Sequence, residues 1–562
     1  MGMKNVVLIS LMVFGALAGQ MSQAVAQPQP SWLTVRSACT GDEKWGPDKN
    51  ATATYVQVRV AISKKGGENA SVGILRSLGA LEKAKDDRAK MITHYWLGRA
   101  LFDAGQIHLA YEEFGQLLAS PLSPQNKPYA IALEQGSMAC MVQIHHRFPT
   151  FKLQAASREG ALRWINDGDV PADQKDVFYE GLGWQLFDHL RDSSNMSKEP
   201  LLAELPMFQG NNYFTTYAKI LILTHFDQAT EVLKLGSVFQ DPTYATRPES
   251  EQALLHLIFA HSYYGTRQFA KAIAEYKLVP KSSNYTVQEL SAIAWAQIIT
   301  KDYEAAIGSA ENLVMGALGH TFAPEGYETL SIALFETCNV QEAVQSYQHF
   351  RKKYGKSFFF LKPLQVANAK FDYYQTLSSY LLKRTSMPDR IGSEWAHEPV
   401  FLANQGELNL SIDEAQGSTA IRATALENLQ KSRPAYWLNF DRRLGTVAQA
   451  NQARRPGLIQ GINEALAVRS RVMMGQLTRT AENLQLLEVE AYETLGDKLV
   501  AENNPNAKDP AITRPNRKKV DPEAVWDWGR IPGGVTGGGE DDGEVWDDEI
   551  GYLHAKIKDS CK

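Results

Sequence analysis

The 562-residue sequence predicts an all-α fold: a right-handed solenoid of helical hairpins, then a long C-terminal helix and a semi-ordered acidic tail. Two observations carry this expectation. Ala272 and Ala306 stand 34 residues apart, each three residues after an aromatic (Phe269, Tyr303) and twelve after another small residue (Ala260, Ala294). A hairpin of that length cannot bury its apolar face alone, so it stacks on its neighbours. Further on, Leu466, Met473, Thr480, Leu487 and Thr494 fall seven apart, with Ser470, Leu477, Leu484 and Ala491 between them. That is the seam of one long helix, and two threonines and a serine in it favour packing against the chain's own neighbours over a separate two-stranded coiled coil.

The chain opens with Lys4, an apolar run from Val6 to Ala18, and Ala24-Val25-Ala26 before Gln27. A positive start, a short apolar centre and small residues at −3 and −1 predict a signal peptide over 1–26. No other stretch reaches the ~18 apolar residues that a membrane span needs, so a periplasmic or secreted protein is expected, and no Cys at the cleavage site suggests a lipid anchor. A net charge of −5 with 22% charged residues lacks the basic footprint of a nucleic-acid binder. Of the four cysteines, Cys39 and Cys561 form one possible disulfide, two unrelated thiols being the alternative. Cys140 and Cys338 lie in apolar segments and read as small buried hydrophobes.

Residues 27–85 read as an N-terminal extension with a strand over 55–62, where apolar residues alternate. From residue 86 the rhythm is helical to about 375. Gly98, Ala110 and Phe114 sit at spacings of 12 and 4, and the same register returns at Ala260, Ala272 and Tyr276, at Ala294 and Ala306, and at Ser331, Ala343 and Tyr347. The last step, Ala306 to Ala343, is 37 residues, placing three extra residues in the 316–324 loop, which loops absorb at little cost. Small, small and aromatic residues at these positions resemble the tetratricopeptide repeat (TPR). The resemblance implies close helix pairs with the aromatic wedged toward the next repeat. The family's tryptophan near the start of the first helix is replaced by His94 and His256, and its closing proline drifts to Pro121 and Pro280. Residues 125–245 are helical in rhythm but match only loosely. A helical connecting region is expected over 376–455 and the long helix over 456–503, starting at Pro456-Gly457 and ending at Asn503-Asn504-Pro505.

Residues 504–562 are rich in Pro, Gly and charge, yet hold Trp526, Trp528 and Trp546 as anchors. The acidic cluster over 540–549 does not follow the alternating order of a calcium loop, and reads as a solvated tail able to steer Trp546 into a basic groove. The stretch Gly-Glu-Val-Trp-Asp-Asp-Glu-Ile-Gly-Tyr over 543–552, leading to Cys561, is similar to periplasmic TPR proteins of the bacterial adventurous gliding-motility type. That resemblance implies a scaffold in a trans-envelope machine.

His-Glu-x-x-His, Cys-x-x-Cys, the phosphate-cradling glycine loop and Gly-x-Ser-x-Gly do not occur in the sequence. Adjacent His145 and His146 diverge by about 100° on a helix and suit one metal poorly. The expected function is therefore non-enzymatic, without cofactor or metal: binding of envelope proteins along a concave groove lined by His94, Trp96, Arg99, His256, His261 and Gln297, with Trp546 as a further anchor. Phe114, Tyr276 and Tyr347 are expected in the core. Two alternatives stay open: an enzyme whose groups converge only in three dimensions, and a structural protein self-associating through 456–503.

Overall fold

The computed structural model describes residue 39 and residues 67–120, 127–170, 175–183, 212–281, 285–366, 371–429 and 432–503. The segments expected as a signal peptide, as a strand over 55–62 and as an acidic tail, with Trp546 and Cys561, lie outside them. Among the described residues the fold is all-helical, with no strand. The chain divides into two units, Met1–Pro248 with Leu402–Gly461, and Glu249–Phe401 with Ile462–Lys562.

The first unit contains α1 (Gly67–Lys83), α2 (Asp87–Asp103), α3 (Ile107–Ala119), α4 (Lys127–Arg147), α5 (Ala155–Asn166), α6 (Tyr213–His225) and α7 (Ala229–Leu233). Helix thus begins inside the expected N-terminal extension. Asp86 caps α2 by accepting from the Ala89 N–H at 2.7 Å. The helices pack in sequence, α1 on α2, α2 on α3, α3 on α4, with α5 also on α3. Glycine sets two of these contacts. The ring of Phe114 lies on Gly98, where a Cβ would stand 2.6 Å from it, so the aromatic wedges back into its own hairpin. On the other side of α3, a Cβ on Gly160 would stand 1.7 Å from the carbonyl oxygen of Leu118. Cys39 is bonded to Cys140 in α4, not to Cys561, and Cys338 is disulfide-bonded as well, so neither Cys140 nor Cys338 is the plain buried thiol expected.

The second unit contains three hairpins, α8 (Glu249–Gly265) with α9 (Phe269–Tyr276), α10 (Thr286–Thr300) with α11 (Tyr303–Val314), and α12 (Glu325–Glu336) with α13 (Val340–Leu361), then α14 (Tyr373–Leu381) and α15 (Asp389–Ala396). Consecutive helices pack from α8 through α13. Ala260, Ala272 and Tyr276 form one buried cluster with Ile293 of the next hairpin, while Ala294, Ala306, Ser331, Ala343 and Tyr347 are buried in the same register.

One turn closes all these hairpins. Gly105, Asp227, Arg267, Lys301, Cys338 and Lys383 each have φ between 54° and 72°, and the N–H of the next residue donates to the carbonyl five residues back, from Gln106 to Leu101 through Arg384 to Ser379, at 2.8–2.9 Å. This is a Schellman closure, in which a left-handed residue lets the last carbonyls of a helix find donors. In the second unit Thr266, Thr300 and Thr337 precede the left-handed residue, and each hydroxyl donates to the carbonyl four residues back at 2.9 Å. These threonines are 34 and 37 residues apart, the same steps as the alanines.

Two long helices complete the chain, α16 (Pro399–Leu429) and α17 (Ala435–Asn503). Helix α17 starts earlier than the expected 456, because Trp437, Phe440 and Leu444 are buried and hold it helical ahead of Pro456. A proline inside a helix removes one rung at a cost of ~3 kcal/mol, which burial of large side chains offsets. In the first unit, α16 lies on the α2–α3 turn. Buried Glu414 accepts from the His108 N–H at 2.8 Å and from Asn451 of α17 at 2.6 Å, while Gln106 donates to the Glu414 carbonyl at 2.8 Å. Buried Glu113 accepts from Arg443 of α17 at 2.6 Å.

Two outcomes follow from the first unit. Gly160→Ala should destabilise by about 1–3 kcal/mol in urea unfolding, since backbone cannot yield as a side chain can, whereas Gly168→Ala, with open space around it, should not. Burial pushes the carboxyl of Glu134 up to about 8, against the pull of the Trp164 N–H (2.5 Å) and Arg163. The folded chain then holds that proton more tightly than the unfolded one. Its stabilisation is full below the ordinary carboxylate range and is lost as pH rises toward 8. The stability of Glu134→Gln relative to wild type should therefore climb between pH 5 and 8 and level off above, as read by thermal unfolding.

Candidate interaction surface

Four of the residues expected to line a groove make polar contacts within their own hairpins. His94 Nδ1 stands 2.6 Å from Glu113, and His256 Nδ1 2.7 Å from Glu275. Both pairs span 19 residues, from four before the small residue of the first helix to one before the aromatic of the second. The reason is helical geometry. Residues four apart share a face, so the face that brings Gly98 or Ala260 against the second helix brings the histidine there too. In the next hairpin Ser309 donates to Gln297, which is buried, at 2.8 Å. His261 meets the hydroxyl of Tyr276 at 2.6 Å. Trp96 and Arg99 are buried in the first unit, Arg99 with Nη2 3.7 Å from Asp103. His94, His256, His261 and Gln297 thus make polar contacts within their own hairpins, while Trp96 and Arg99 are buried in the first unit.

Burial would raise the carboxyl of Glu113, but the hydrogen bond from His94 and the charge of Arg443 overrule it and hold it below the usual range. Glu180 behaves likewise: His146 and Arg247, at 3.7 and 2.8 Å, keep it at about 2 despite burial. His145 turns instead to the Phe151 carbonyl at 3.0 Å, so the histidine pair diverges as helical spacing requires. Among the described residues no group of three or more His, Cys, Asp or Glu is arranged to hold a metal, and no helix is long and apolar enough to cross a membrane. Burial lifts Glu289 to about 7 against its Lys281 partner, yet Glu289, like Glu134, is fully enclosed by helix packing. An open cleft with Arg422, Trp437, Leu438 and Asp441 in its wall lies elsewhere in the first unit.

Several exposed aliphatic side chains are on α17. Within the second unit, Leu466, Ser470, Met473, Leu477, Thr480, Leu484 and Ala491 of the heptad seam are buried. Asn483 donates to Glu328 and Arg479 to Glu325 of α12, both at 2.7 Å, and Ala491 packs on Val340 and Val344 of α13. Arg469 pairs with Glu394 of α15, and Asn463 accepts from the Tyr374 N–H at 2.8 Å. Half a turn from this seam stand Val468, Val472, Leu486 and Val489, exposed by 50, 46, 38 and 48%. At 100° per residue, Val468 and Leu486 share one azimuth, and Val472 and Val489 fall within about 60° on either side. These four form an interrupted stripe: exposed Gly475, Arg479 and Glu482 occupy the same face between Val472 and Leu486, which stand ~21 Å apart along the axis.

Compared with known proteins, the chain matches no family model, no curated protein and no solved structure.

The two faces predict opposite mutational costs. Leu477→Ala in the buried seam should cost about 2–5 kcal/mol, and Val472→Ala on the exposed stripe should stay within about 0.5 kcal/mol, both by chemical denaturation of the mature chain.

Proposed function

We propose that this chain is a non-enzymatic scaffold of the cell envelope, a TPR-like solenoid that binds other envelope proteins. The observation that carries the reading is the recurrence of one turn, Thr followed by a left-handed residue and then Gln, Asp or Asn, at 266–268, 300–302 and 337–339. Hairpins closed in one way stack edge to edge, and such stacking produces long continuous surfaces suited to holding proteins. A location outside the cytoplasm is supported by the leader-like residues 1–26 and by the Cys39–Cys140 disulfide, since disulfides persist in oxidising compartments. The resemblance of residues 543–552 to the gliding-motility type supports a place in a trans-envelope machine.

The partner-binding surface in this reading is the Val468–Val472–Leu486–Val489 stripe, because its aliphatic side chains are exposed while His94, His256, His261 and Gln297 make polar contacts within their hairpins. A second reading, self-association of two copies, is favoured by the same stripe, since like aliphatic faces pair readily along parallel or antiparallel helices. Photo-crosslinking from positions 472 and 486 in the native envelope separates them. The scaffold reading expects one heterologous adduct of the same mass from both positions, abolished by Val468→Asp with Val489→Asp. Adducts only between copies, together with a dimer by light scattering, would decide for self-association. No adduct from either position would overturn the assignment of this surface.

A further inference from the structure

In the second unit two cations converge on one short turn. The 3-10 turn Gly316–His320 joins α11 to α12. Lys353 of α13 places its ammonium on the carbonyl oxygen of Val314, just before the turn, and 5.6 Å above the ring of Tyr327. Arg390, in the first turn of α15, donates Nη2 to the carbonyl of Gly319 at 2.7 Å and stacks its guanidinium 5.5 Å from the Tyr354 ring. The two positive groups share the same backbone, since a Cβ on Gly319 would stand 3.6 Å from the Lys353 nitrogen.

Like charges held this close and half-buried normally bring in a carboxylate. Among the described residues none stands within ion-pairing distance of either. Glu394, one turn along α15 from Arg390, gives its carboxylate to Arg469; on α12, Glu325 is taken by Arg479 and Glu328 by Asn483. The remaining titratable neighbours are His320 in the turn itself, Asp389, which accepts from the Tyr380 hydroxyl at 3.0 Å, and two phenols kept neutral: burial pushes Tyr327 up to about 12, and Tyr354 is raised further, its oxygen accepting from the Ala323 N–H at 3.0 Å. Arg390 Nε is buried with no hydrogen-bond partner. Burial and the nearby guanidinium together draw the Lys353 ammonium down to about 8. Carbonyls and aromatic faces compensate part of this positive charge and leave the rest.

We infer that Lys353 and Arg390, gathered on the Gly319 turn, form a binding site for an oxyanion, a carboxylate or a phosphate. An ammonium beside a planar guanidinium supplies a point charge and a fork of donors, the combination that such oxygens take. The inference does not depend on the scaffold reading.

The test is the rate of acylation of Lys353 at pH 8, followed by mass spectrometry on the full mature chain, in chloride, inorganic phosphate or succinate at constant ionic strength. A bound oxyanion stabilises the ammonium and should slow acylation of Lys353 several-fold, without slowing exposed lysines such as Lys352. Protection by phosphate alone, or by succinate alone, identifies which source of oxyanion the site takes. In Arg390→Gln the protection should vanish, and in Arg390→Lys, which keeps the charge and loses the fork, it should require roughly tenfold more anion. Equal rates in all three salts, or protection that persists unchanged in Arg390→Gln, would overturn the site. Should Arg390→Gln fail to fold, the Arg390→Lys comparison and the wild-type salt series decide it.

Discussion

The constraint on which the body of this protein depends is the distance at which its helices can approach. Phe114 rests on Gly98 because no Cβ intervenes, and α5 reaches the Leu118 carbonyl only because position 160 has no side chain. Gly326 does the same for α12, where a Cβ would stand 2.9 Å from Leu313. Once the axes are this close, what lies a turn away on the same face is also determined. Histidine four residues before the small residue meets glutamate of the second helix, and the polar pair is carried into the interior by apolar packing alone.

Legibility of the fold in the sequence follows from this. Small and aromatic residues repeating at 34 and 37 are the direct signature of close hairpins, and those positions are buried. The buried face of α17 was legible as a heptad because its period is strict. Its opposite face was not, since Arg479 and Glu482 interrupt Val468, Val472, Leu486 and Val489, leaving no continuous apolar period. The beginning of α17 was hidden for another reason. Pro456 is a start signal in local chemistry, and only the burial of Trp437, Phe440 and Leu444 overrides it.

The candidate binding residues fared differently from the core. A histidine, tryptophan or arginine on a first helix reads as surface chemistry when its partner is unknown. The two His–Glu pairs were nevertheless available: both separations are 19, and both sit in register with the small residues. The Thr-x-Gln/Asp/Asn turn was available in the same way. The cations at Gly319 were not, because Lys353 and Arg390 are far apart in sequence and meet only through the folding of α13 and α15.

The left-handed turns have a further consequence. Five of the six carry a side chain, Asp227, Arg267, Lys301, Cys338 and Lys383, at a backbone angle where only glycine is relaxed. Each such residue costs about 1 kcal/mol relative to glycine. The hairpins therefore hold a reserve of stability that glycine at Arg267, Lys301 and Lys383 would release without touching helix, seam or stripe, which makes the apices the natural place to strengthen this molecule while leaving what it presents to others unaltered.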